Sequence, residues 1–108
     1  MIQRLTLLLL LCIAFSKTLA QQANLSTASK QLATFTIKAP QLNTDKKIWI
    51  YLPKKYDSSK KKYPVIYMHD AQNLFDAKTS YVGEWNIDEK LDSLNAQVII
   101  VGIEHGNE

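Results

Sequence analysis

Cysteine is almost absent: Cys12 is the only one in 108 residues. It sits in the apolar block 5–15 that follows Arg4, so no disulfide framework holds this chain together. A bilayer-spanning run is also missing, because that block is far shorter than the roughly 20 residues a spanning helix needs. Thr18, Leu19 and Ala20 close the segment, with small residues where a signal peptidase requires them. Residues 1–20 therefore read as a secretory signal peptide cleaved after Ala20, giving a secreted or periplasmic product with no membrane partner after cleavage. Removing them takes away Arg4 and Lys17 and leaves eleven bases against ten acids, a net charge of +1. No clustered basic face remains, which excludes a nucleic-acid partner.

Several chemical signatures are missing too. The serines beyond residue 20 (Ser26, Ser29, Ser58, Ser59, Ser80, Ser93) lie in polar, loop or helical stretches. None stands in the G-x-S-x-G pattern that makes a strained strand-to-helix elbow, so no nucleophile can be assigned. No HExxH or CxxC spacing occurs. There are no internal repeats and no low-complexity tract.

What is present is an alternating and then a helical pattern. Residues 21–32 are polar and read as a flexible leader. Residues 33–38 (ATFTIK) and 46–52 (KKIWIYL) alternate as half-buried strands around the turn residues 40–45, which predicts an antiparallel hairpin. Pro53 ends the second strand. Residues 54–62 (KKYDSSKKK) form a solvated loop. The apolar run 65–68 (VIYM) suits a central strand covered on both faces. Residues 84–96 predict a helix capped by Asn86, with Glu89 at capping-box spacing. Ile87, Leu91 and Leu94 lie on its inner face, and Asp88, Lys90 and Asp92 outside. A second central strand, 98–101, follows. Strand, helix and strand make a parallel βαβ unit, so the fold class is mixed α/β. So apolar a strand near Glu108 needs further sequence to cover it, and the chain is expected to be the N-terminal part of a larger protein.

In open α/β sheets, ligands bind beyond the carboxyl ends of the parallel strands. Two loops qualify here. One carries His69, Asp70 and Asp76, the other Glu104 and His105. A metal site is one reading, although neighbouring His and Asp on an extended chain point to opposite faces. A second reading makes the turn after the 65–68 strand an oxyanion loop, whose backbone N–H groups stabilise the charge that develops in acyl transfer. A third is an ordinary turn in which Asp70 and Asn73 bond nearby backbone. The residues alone leave these readings open.

The pieces IWIYLPKKYD, YPVIYMHDAQNLFD, YVGEWNIDEKLDSL and VIIVGIEHG, in this order, resemble the Putative esterase (esterase D-like, enterochelin-esterase-like) family of α/β-hydrolases. The resemblance runs from Ile48 to Glu108. It implies a serine esterase domain over 33–108, truncated, with the nucleophile, acid and base all beyond Glu108 and no metal or organic cofactor. Asp70-Ala71-Gln72 stands where the family has Asp-Gly-Gln, which makes the Ala71 and Gln72 N–H groups candidate oxyanion donors. Ala71 replaces glycine, and a positive φ there would strain it. Trp85 matches a family tryptophan. With His69, Asp70 and His105 it is a candidate substrate-binding residue, and neither histidine is the catalytic base. The substrate would be a small-molecule or carbohydrate-linked ester. The alternative is a secreted, non-catalytic binding module.

Overall fold

The structure, a computed structural model, describes residues 1–10, 12 and 25–106. Residues 2–10 are helical, and among the described residues no helix is long and apolar enough to cross a membrane. The expected cleavage point after Ala20 lies outside the described residues.

The hairpin forms as the alternation predicts. Strands β1 (Leu32–Ala39) and β2 (Thr44–Tyr51) pair antiparallel from Leu32 opposite Tyr51 to Ala39 opposite Thr44. A 3-10 turn, Pro40–Leu42, connects them. Asn43 ends it with φ 49°, donating its N–H to the Pro40 carbonyl at 3.1 Å. Proline sets the φ that opens such a turn, and asparagine tolerates the left-handed conformation that closes it.

β3 (Val65–Met68) and β4 (Ile99–Ile103) are parallel, as a βαβ unit requires, and the sheet order is β1-β2-β4-β3. β4 is thus central, antiparallel to β2 and parallel to β3. β3 departs from expectation. It is an edge strand rather than a central one, with Val65, Ile66 and Tyr67 exposed. Its apolar run signals a strand suited to cover on both faces, and within these residues that cover is missing.

Two helices complete the unit: α1 (Ala71–Leu74) and the crossover helix α2 (Ile87–Ser93). α2 is shorter than the predicted 84–96. Asn86 precedes it in the left-handed region (φ 53°) with no side-chain capping bond, so the capping box is not formed. The C-terminus is better closed. Asn95 has φ 49°, its N–H reaches the Asp92 carbonyl (3.1 Å), and the Ala96 N–H reaches Leu91 (2.9 Å), the two bonds of a Schellman motif.

The α2 inner face also differs from expectation. Ile87 and Leu91 pack on the core, but Leu94 is exposed, whereas Asp88 is fully buried. Asp88 accepts the Ser29 N–H at 3.0 Å, and Tyr51, wholly buried under the helix, donates its hydroxyl to Asp92 Oδ1 at 2.7 Å. A buried phenol needs an acceptor, and Asp92 supplies it. Burial first, then this bond and the nearby negative charges, push the Tyr51 hydroxyl well above its ordinary pKa.

Residues opposite each other across the sheet share a face. Trp49, Tyr51, Ile100 and Met68 line the face covered by α1 and α2, where Leu74 and Phe75 complete the core. Trp49 and Phe75 stack there with ring centroids 6.1 Å apart. Phe35, Ile48, Ile50, Tyr67, Val101 and Ile103 line the other face.

Candidate active site

The first functional turn follows from where β3 ends. Asp70 sits at φ 57°, ψ 40°, turning the chain out of the sheet and straight into α1. Aspartate tolerates this left-handed conformation better than most residues with a Cβ. The positive φ is therefore at Asp70, and Ala71 is not among the positive-φ residues. The strain expected at Ala71 does not arise. Ala71 is instead fully buried, and its Cβ lies against Gly102 of β4. A Cβ built on Gly102 would stand 2.8 Å from the Ala71 Cβ and 3.2 Å from the Phe75 ring. Gly102 thus lets α1 lie down on the sheet, and a small residue at 71 completes the fit.

The turn leaves defined donors. The Asn73 N–H is already bonded to the Asp70 carbonyl at 2.8 Å. Ala71 and Gln72 occupy the first positions of the helix, where no intrahelical acceptor exists for their N–H groups. Behind them the segment is tied down at several points. The Asn73 carbonyl accepts the Trp85 N–H (2.8 Å), and its side-chain Oδ1 accepts the Tyr81 N–H (2.9 Å). Thr79 Oγ1 donates to the Gln72 carbonyl at 2.8 Å. Asp76, almost fully buried, accepts from Ser26 Oγ (2.7 Å) and from the N–H groups of Thr27 and Lys78 (3.0 Å each). Burial alone would raise its pKa, but these donors and the Lys78 charge outweigh it and hold the carboxyl below its ordinary value.

The loop after β4 meets this turn. The His105 N–H donates to Gln72 Oε1 at 3.0 Å, and His105 Nδ1 stands 3.9 Å from Asp70 Oδ1. His69, Asp70 and His105 line one cavity of about 440 Å³, with Lys46 and Glu104 at its rim and Ile37, Leu42, Ile48 and Ile103 as apolar wall. Such a mixture suits an organic ligand with one polar end. Glu104 is partly committed elsewhere, accepting from Trp49 Nε1 at 3.2 Å with Lys47 Nζ at 3.8 Å. Trp85 is not among the residues lining the cavity. Its ring is half-exposed, and its backbone serves the Asn73 carbonyl. Three of the six candidate residues thus line the cavity; Ala71 and Gln72 follow Asp70 in the chain but are not among the lining residues, and Trp85 stands apart. Among the described residues no three of His, Cys, Asp and Glu converge as a metal-ligand set.

Sequence reasoning placed Asp76 in the candidate loop but not its burial, and it missed Gly102 and the part of the leader that bonds to Asp76. A glycine inside an otherwise apolar strand was the available signal for a close helix approach.

The family model Putative esterase matches residues 39–108. The chain belongs to this esterase family. No curated protein matches it. Among solved structures, the family member is similar to an IroE-like serine hydrolase from Shewanella oneidensis (24% identity, TM-score 0.56, covering 69% of this chain and 23% of that one). It is also similar to the BES protein from Bacillus cereus (22%, 0.52, 74% and 29%) and to a ferulic acid esterase (22%, 0.51, 71% and 32%). At these identities the likeness is one of fold, the mixed α/β sheet of hydrolases. The esterase-family chain spans about a quarter to a third of the length of the structures it matches.

Proposed function

We propose that this chain is the N-terminal portion of an exported serine esterase and that it supplies the oxyanion loop. In the reaction a serine from sequence outside this chain attacks the ester carbonyl carbon. The alcohol leaves, and water then hydrolyses the acyl-enzyme. While the carbonyl oxygen carries negative charge, the Ala71 and Gln72 N–H groups donate to it. One such donor is worth roughly 100- to 1000-fold in rate. The observation that carries the proposal is the turn itself: left-handed Asp70 delivers two first-turn N–H groups to the carboxyl end of β3, in a chain whose family is esterase. His69, Asp70 and His105, with the apolar wall of the cavity, are proposed to hold a small-molecule or carbohydrate-linked ester. Export rests on the reading of residues 1–20.

The test has two arms. The 108-residue chain should show no serine-dependent hydrolysis of p-nitrophenyl acetate, and a reading frame continuing past residue 108 should encode G-x-S-x-G followed by an acid and a histidine. Turnover by this chain that a serine-directed phosphonate abolishes would refute the assignment of the nucleophile. The rival reading, a self-standing binding module, would have to leave Phe35, Ile37, Val65 and Tyr67 exposed on one sheet face, which weighs against it.

A further inference from the structure

Five hydrogen bonds join residues 25–30 to the segment that follows the oxyanion turn. Ser26 Oγ and the Thr27 N–H hold the two oxygens of Asp76 (2.7 and 3.0 Å). Thr27 Oγ1 donates to Glu84 Oε2 (2.6 Å) and accepts from the Ala77 N–H (2.8 Å). The Ser29 N–H donates to buried Asp88 Oδ2 (3.0 Å). These partners are 49 to 59 residues apart in sequence, so the contact is tertiary and not a local turn. The composition of this stretch suggests a flexible leader, yet in the structure it lies across the loop as a strap.

The bonds continue inward. Asp76 organises its own turn, accepting the Lys78 N–H on Oδ1 and the Ser80 N–H on its carbonyl. Thr79, in that turn, bonds the Gln72 carbonyl, and Gln72 Oε1 holds the His105 N–H. A continuous path thus runs from Ser26 through Asp76, Thr79 and Gln72 to His105. The strap lies outside residues 39–108, the part that matches the family.

We infer that residues 25–30 are a positioning strap, with Ser26 and Asp76 as positioning residues that fix the orientation of the Ala71–Gln72 turn. Its existence as a mechanical coupling stands by itself, and its bearing on catalysis rests on the esterase reading. The joint is not saturated: Ser29 Oγ, Ser80 Oγ, Glu84 Oε1 and Asp88 Oδ1 are buried without a hydrogen bond. Each unmet group offsets part of what the five bonds contribute, so losing one bond should register locally.

The experiment is residue-resolved amide exchange on the 108-residue chain, with β2 and β4 amides as internal reference. Ser26→Ala should speed exchange at Asn73, Thr79 and His105, whose N–H groups are hydrogen-bonded, about tenfold while the β2 and β4 amides stay unchanged, the scale expected for one hydrogen bond to a charged group. Ser26→Thr, which keeps a hydroxyl, should restore the parent rates, and Asp76→Asn should exceed the Ser26→Ala effect. Unchanged loop rates overturn the inference. So does uniform acceleration of loop and sheet, which would make the strap a general stabiliser, and so does a parent whose sheet amides are themselves unprotected. None of these readouts uses ester turnover, so the strap and the esterase reading fail separately.

Discussion

The two faces of the sheet are built from the same kinds of residue and meet different fates. On one, Trp49, Tyr51 and Ile100 are at most 4% exposed beneath Leu74 and Phe75. On the other, Phe35, Ile37, Val65 and Tyr67 are 43–71% exposed, and Ile48 alone is fully buried. Alternation tells which residues share a face, but not whether the chain supplies anything to cover it. Nearly all the burial available to stabilise these residues is therefore on the side of α1 and α2.

Phe75→Ala against Phe35→Ala tests this contrast most severely. Emptying the covered core should cost about 3–5 kcal/mol, which can unfold so small a domain. The open-face change should cost about 1 kcal/mol or less. Urea titration followed by tryptophan fluorescence separates them, and equal losses would show that the open face is covered in solution. Next in size is Gly102→Val, which forces side-chain atoms into the space of Ala71 and Phe75. It should cost about 3 kcal/mol, at the upper end of overpacking effects, and weaken the near-UV signal of the Trp49–Phe75 pair.

Tyr51→Phe should cost about 2 kcal/mol by stranding Asp92. Its pH dependence sharpens the test. Folding favours the neutral phenol, because the folded pKa is raised above the ordinary 10.0. That stabilisation is complete below pH 10 and is lost as pH rises toward the folded value. The gap between parent and Tyr51→Phe should narrow above pH 10, and a gap that widens there would contradict the burial of this hydroxyl. The smallest effect on stability belongs to Tyr67→Lys on the open edge strand. It should leave the urea midpoint nearly unchanged while reducing self-association in sedimentation velocity, since a charged edge discourages strand pairing.

Much of the fold was legible because period-two and helical patterns are local properties. The hairpin, the parallel βαβ pair and the place of the candidate turn all follow from them. The errors have other origins. Asp88 and Asp92 read as solvent-facing because charge usually is, and their partners, the Ser29 N–H and the Tyr51 hydroxyl, lie 59 and 41 residues away. Asn86 and Glu89 have capping-box spacing, but the backbone enters α2 through a left-handed residue that places no side-chain cap. The left-handed position at the site fell on Asp70 rather than on the residue that replaces glycine. In the leader, Ser26 and Thr27 look like any polar tail until Asp76 is known to be buried. The misses at Asp88, Asp92, Ser26 and Thr27 concern partners distant in sequence, and those at Asn86 and Asp70 a backbone angle that residue spacing does not record.

The strand order has a consequence in time. Among the described strands β4 comes last in the chain, yet it is the neighbour of both β2 and β3. Until residues 99–103 have been synthesised, β3 has no strand to join, and the hairpin has only itself. Closing the β3–β4 pair then spans the thirty residues between Met68 and Ile99, a loop whose entropy must be met before any ladder bond forms. An emerging chain therefore carries VIYM as an unpaired apolar segment until residues 99–103 have followed it.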